Sequence, residues 1–164
     1  MDTMQILCTL RRVKSFLGVY PSDLIPRSIT RSGCLILNTD SHTLEGSHWL
    51  AIHLTPRAYS AYYFDSYGLP PDIPQILSFF RRNSTVWDYN KLQLQGLTST
   101  VCGKYCCLFA LYMDRGFTPN QFVALFDVCS GKADSQVTAM FAAEFGSLRK
   151  DVCGGQCCRD YYKA

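Results

Sequence analysis

From Cys102 to Tyr112 the chain reads Cys-Gly-Lys-Tyr-Cys-Cys-Leu-Phe-Ala-Leu-Tyr, with Lys104 the only charged side chain. Apolar residues on every side of a helical period, closed by Gly116, predict a helix buried nearly all round. Such a helix must be wrapped by other elements. The chain has 164 residues, of which 48% are hydrophobic and 18% charged. That is enough apolar material for one packed core and excludes disorder as the main state. The expected organisation is a single domain over residues 1–150 and a Cys-rich tail over 151–164. No apolar run approaches the roughly 20 residues of a membrane span. The start, Met1-Asp2-Thr3-Met4, lacks the order of a secretory leader, so none is expected.

Around the buried helix, Ile6, Leu7, Leu10, Val13 and Leu17 recur at helical spacing. They predict an amphipathic helix over 3–17, capped by Asp2 or Thr3 and closed by Gly18. Cys34 to Thr39 is short and apolar and predicts a buried strand. His48–Leu54 and Tyr59–Phe64 predict a hairpin split by Thr55-Pro56-Arg57. Asp72 is expected to cap a helix carrying Ile76, Leu77, Phe79 and Phe80. Leu92 to Gln95 is a candidate strand. Thr118-Pro119 opens another helix, a capping residue followed by Pro. Ser135 to Leu148 is the last. A helix, a small sheet and then helices make the class α+β.

Nine Cys stand beside three His, and the net charge is +3. An odd Cys count without a leader argues against a disulfide scaffold. It leaves metal binding, chemistry, or burial as small apolar residues. The modest charge is short of a dedicated nucleic-acid binder and leaves a weak, sequence-blind contact open.

Chemistry has few candidates. His48 begins a strand after Gly46-Ser47, Asp65 ends the next, and a hairpin makes them neighbours. A carboxylate there accepts the imidazole N–H, fixes the tautomer and stabilises the imidazolium. Cys102 opens the buried helix, where the helix N-terminus and an adjacent imidazole both lower a thiol's pKa. Gly103 has no Cβ to block a substrate carbonyl. Gln95 and the Cys102 N–H are the candidate oxyanion donors. His53 faces away from His48 and reads as structural; His42 lies in a polar turn.

These segments resemble the adenovirus-type cysteine proteases (adenain), whose fold is shared with proteases of ubiquitin-like proteins. His48-Trp49-Leu50-Ala51 with Pro56-Arg57 is similar to the family's His segment. Asp65, Gln95-Gly96 and Cys102-Gly103-Lys104-Tyr105-Cys106-Cys107 are similar to its acidic, Gln and nucleophile segments. The resemblance covers roughly residues 5–130. It implies a small mixed sheet flanked by helices, with the nucleophile at the start of a central helix. It assigns Cys102 as nucleophile, His48 as base, Asp65 as orienting acid, and Gln95 to the oxyanion hole. Gly46, Trp49 and Gly103 become substrate-binding residues, with Trp49 packed beside the imidazole.

A viral endopeptidase cutting precursors at Gly-Gly or Gly-x-Gly sites during virion maturation follows from the resemblance, in the host nucleus and virion. The source is then a divergent adenovirus or a Polinton- or adintovirus-like element. An activating viral peptide and DNA are implied as cofactors, although Ser84 stands where relatives carry the peptide-linking Cys. No metal and no membrane partner are expected, and the chain is expected to act as a monomer. Two other readings stay open: a deconjugating protease for a ubiquitin-like Gly-Gly tail, and a silent interaction module of the same fold. Cys153-Gly154-Gly155 in the tail resembles a cleavage site, which would make Gly155–Gln156 self-processed. Cys8, Cys34, Cys106, Cys107 and Cys129 read as buried filler, and Cys153, Cys157 and Cys158 have no assigned role.

Overall fold

A computed structural model describes residues 1–146. The tail with Cys153, Gly155, Cys157 and Cys158, and Leu148 of the last expected helix, lie outside the described residues. Helix α1 (Thr3–Leu10) begins with a capping box: the Gln5 N–H donates to Asp2, and the Asp2 N–H donates back to the Gln5 side chain. It stops well short of the expected 17. Strand β1 (Phe16–Pro21) follows and takes Leu17 and Gly18 with it. Phe16, Val19 and Tyr20 favour extended backbone, and their pairing with β2 (Gly33–Asn38) outweighs the helical spacing.

Strands β3 (Trp49–Thr55) and β4 (Ser60–Phe64) form the expected antiparallel hairpin, turned by a short 3-10 segment at Pro56–Ala58. Helix α2 (Pro74–Asn83) starts at Pro74 with Ile73 as its cap, so Asp72 is not the capping residue. Pro74 already pre-sets the helical φ at the first position and needs no side-chain cap there. Strand β5 (Val86–Tyr89) lies where no strand was expected, and Leu92–Gln95 is not a strand. Instead the Leu94 and Gln95 N–H groups both donate to the Ser66 carbonyl. The buried helix α3 (Cys102–Asp114) is as expected; α4 (Pro119–Val123) and α5 (Ala133–Phe145) complete the order. Thr118 caps α4, and α5 begins two residues ahead of its predicted start.

The sheet order is β1-β2-β3-β4-β5, parallel at both outer pairs and antiparallel within. It is covered on both faces. Leu35, Leu37, Leu50, Ile52 and Tyr63 face α2 through Ile76, Phe79 and Phe80. Cys34, Ile36, Ala51 and Phe64 face α3, around which α1, α4 and α5 close. All of β2 is therefore buried, which is why it reads as one apolar run. Phe109 locks α3 to the sheet by stacking on Phe64 at 4.7 Å. The class is α+β with a mixed five-stranded sheet.

Candidate active site

The hairpin turns at Pro56, so the residue before β3 and the residue after β4 meet at the sheet's opposite end. Those residues are His48 and Asp65. The imidazole Nε2 lies 2.7 Å from the Asp65 carboxylate, with both side chains largely buried. This leaves Nδ1 as the ring nitrogen available to a third group. That group is Cys102, the first residue of α3, whose thiol interacts with His48. Three residues from three separate segments thus form one line.

The line is held by groups that carry no local sequence signal. Tyr67 stacks on the His48 ring at 4.8 Å, and its N–H donates to the Asp65 carboxylate. Asn90, almost fully buried, accepts from the Asp65 N–H and donates to the Asp65 carbonyl. Gln95 is 1% exposed. Its Oε1 accepts from the Ser66 hydroxyl at 2.7 Å. Its Nε2 donates to the Ser99 carbonyl at 2.6 Å and, more weakly, to the Tyr67 hydroxyl at 3.2 Å. Asn90, Tyr67 and Ser66 were not expected. They act through contacts 25 to 29 residues apart in the chain, which no periodicity reports.

Burial opposes charge on His48, but Asp65 and Cys102 outweigh it and raise the imidazole to about 9. Burial likewise raises the Cys102 thiol. The imidazole and the backbone N–H groups of Trp49 and Gly103 overcome it, so the thiol titrates below its ordinary value. The two shifts have the same sense: each favours the charged form of its own group, the imidazolium and the thiolate. The Cys102 N–H has no hydrogen-bond acceptor among the described residues, as befits the first turn of a helix.

Two expected roles change. The ring against the imidazole is Tyr67, not Trp49. The Trp49 indole instead donates to the Met1 carbonyl at 2.8 Å. Gly103 was expected to leave room for a substrate carbonyl; the room is used by the chain itself. A Cβ there would come within 3.0 Å of Met1 and 3.3 Å of Trp49. Gly46 has φ +90°, and a Cβ would meet Asn38 Nδ2 at 2.5 Å. Beside these residues opens a cleft of about 1110 Å³, walled by Met1, Asn38, Asp40, Glu45, Gly46 and Trp49 among others.

The other thiols and imidazoles are apart from this line. Cys34 lies 3.3 Å from His53 Nδ1, buried between sheet and helices, and burial pushes its thiol far up. Cys106 donates to the Trp49 carbonyl, and it and Cys107 are fully buried. Cys129 is exposed and Cys8 is disulfide-bonded, so neither is the buried filler expected. Cys129 lies in a stretch, residues 129–132, that is exposed throughout, and α1 buries only Ile6 and Leu10. His42 pairs with Asp23 at 2.6 Å.

The chain is 34% identical over 103 residues to the protease of bovine adenovirus 2, covering 53% of this chain and 50% of that protein. It is 25% identical over 164 residues to the protease of porcine adenovirus A serotype 3, covering 87% and 80%. The chain is thus similar, at a divergent level, to the adenovirus proteases. It spans about half the length of the curated relatives it matches at 30% identity or better. No family model matches it. Among solved structures, the crystal structure of ASFV pS273R protease superposes with a TM-score of 0.58 at 17% identity, covering 74% of this chain and 60% of that one. That likeness agrees with the α+β fold described above.

Proposed function

We propose that this chain is a viral cysteine endopeptidase. The observation that carries the reading is the Asp65–His48–Cys102 line, with the imidazole raised and the thiol lowered at the start of a buried helix. The Cys102 thiolate attacks the substrate carbonyl, forming a tetrahedral intermediate and then a thioester. His48 gives its proton to the leaving amine, then takes one from the water that cleaves the thioester. Asp65 keeps Nδ1 of the ring toward the thiol. The negative oxygen is received by the free Cys102 N–H and by the Gln95 Nε2–H now weakly shared with Tyr67. All of these groups are side chains or backbone of this chain.

Substrates are viral precursor polypeptides cut at Gly-Gly or Gly-x-Gly sites. Met1 and Trp49 crowd the space beside Gly103, and Cys102 is only 8% exposed, which suits substrate residues without a Cβ. The outer edge of β5, with Val86 and Trp87 exposed, suits an activating peptide added as a further strand. Ser84 caps α2 just before it, so that peptide is held by backbone hydrogen bonds and not by a disulfide at this position. The exposed Arg11, Arg12, Lys14 and Arg31 suit weak, non-specific DNA contact. Action as a monomer in virion and host nucleus completes the reading.

The test uses a Leu-x-Gly-Gly-x peptide and a ubiquitin-like fusion, with and without a Cys-bearing peptide and DNA. Wild type is expected to cleave the peptide and Cys102→Ala to cleave neither. Preference for the fusion moves the function to deconjugation. No cleavage under any condition, or full activity of Cys102→Ala, overturns the proposal.

A further inference from the structure

The cleft beside the candidate nucleophile has a charge opposite to that of the whole molecule. The chain carries +3. Yet the cleft wall holds the carboxylates of Asp2, Asp40 and Glu45 and no Lys or Arg. Its one imidazole, His42, is already paired with Asp23. Asp2 is engaged in capping α1, whereas the carboxylates of Asp40 and Glu45 have no ion-pair partner among the described residues. These carboxylates do not converge as metal ligands; no such cluster occurs among the described residues. Leu17, Val19, Leu24 and Leu44 line the same space and supply an apolar floor.

A second feature points to a peptide ligand. Asn38, at the end of β2, is 8% exposed and lines the cleft. Its Oδ1 accepts from the Asp40 N–H at 2.9 Å. Its Nδ2 faces Gly46, another residue of the wall, and has no acceptor among the described residues. Asn38 Nδ2 is not among the buried polar atoms without a partner, so it is open to the cleft, and a donor held in place by its own amide oxygen and open to a cleft can meet a carbonyl that arrives from outside. The cleft adjoins the reacting groups without being lined by them: Trp49, in its wall, follows His48, and Met1, also in its wall, packs on Gly103, which follows Cys102.

We propose that this cleft holds the substrate polypeptide next to the cleaved bond and selects a lysine or arginine side chain there. The inference rests on the protease reading above and adds a specificity to it. Asn38 Nδ2 donates to a substrate backbone carbonyl. The aliphatic stem of the basic residue lies along the leucines, and its charged end reaches Asp40 and Glu45. A glutamate at the same position is repelled.

Peptides with a central Gly-Gly, carrying lysine, norleucine or glutamate in turn at successive flanking positions, test this. At the best position wild type is expected to favour lysine over norleucine by about five- to tenfold in kcat/KM, as two partly exposed ion pairs supply. The preference shrinks at high salt. In the doubly substituted Asp40→Asn, Glu45→Gln protein, checked for folding by its melting temperature, the ratio falls to about one. A wild-type ratio near one at every position, or a ratio the double substitution leaves unchanged, overturns the inference. Fluorescence anisotropy of the same labelled peptides on Cys102→Ala reads the cleft without turnover. Wild type that cleaves none of the peptides counts against the protease reading, while the anisotropy ratio still decides this one.

Discussion

One oxygen of Asp65 receives both the His48 imidazole and the Tyr67 N–H. It therefore fixes the ring that carries the proton and the loop that stacks on that ring. Asp65→Asn keeps the shape and removes the charge. It is expected to lower kcat/KM by about 10²–10⁴-fold. It is also expected to move the basic limb of the pH–rate profile down from about 9, because the carboxylate, together with Cys102, lifts His48 against burial. An unchanged basic limb contradicts this assignment. Asn90 grips the Asp65 backbone on both sides and touches no reacting atom. Asn90→Ala leaves the buried Asp65 N–H without its partner, while the Asp65 carbonyl keeps the Gly68 N–H, and is expected to cost about 1–3 kcal/mol in denaturant titrations. As a positioning residue it should lower kcat more than it changes KM. His48, Asp65 and Cys102 were legible in the sequence because the chemistry admits few residue types and strand ends and helix starts are readable. Asn90, Tyr67 and Ser66 were not, because any polar residue in a loop looks alike until the chain is folded around it.

At the scale of elements, the site depends on how firmly α3 is pressed on the sheet. Phe109 stacks on Phe64 and meets Phe122 of α4 edge to face at 5.4 Å. All three are fully buried. Phe109→Ala is expected to destabilise the protein by about 3–5 kcal/mol, measured by equilibrium unfolding. The buried helix and the β3–β4 hairpin could be read from the sequence because their apolar pattern and turn residues agree with their place in the fold. The segment after α1 could not. Val13 and Leu17 continue a helical spacing, but Gly18, at φ +134°, sits where β1 shifts register against β2. Long-range pairing decided the matter there, as it did for β5. That strand's side chains are mostly exposed, so it has no apolar alternation to announce it.

For the whole molecule, acidity is the natural probe of stability. His53 is held neutral by burial beside Cys34, so its pKa lies below the ordinary 6.5. Below about pH 6.5 the unfolded chain binds a proton at His53 that the folded chain does not, so stability falls as pH falls. The denaturation midpoint is expected to drop between pH 7 and pH 5, and His53→Gln to lose part of that dependence. Equal dependence in the variant contradicts the role given to His53. The central claim concerns another Cys and His: that His48 and Asp65 make Cys102, alone among the described free thiols, a thiolate near neutral pH. Limiting iodoacetamide at pH 6, followed by peptide mass mapping, tests it directly. The exposed Cys129 is the internal control for access without activation. The predicted result is carbamidomethylation of Cys102 ahead of Cys129, slowed at least about tenfold by His48→Ala. Labelling of Cys129 first, or a Cys102 rate indifferent to His48→Ala, would contradict the account.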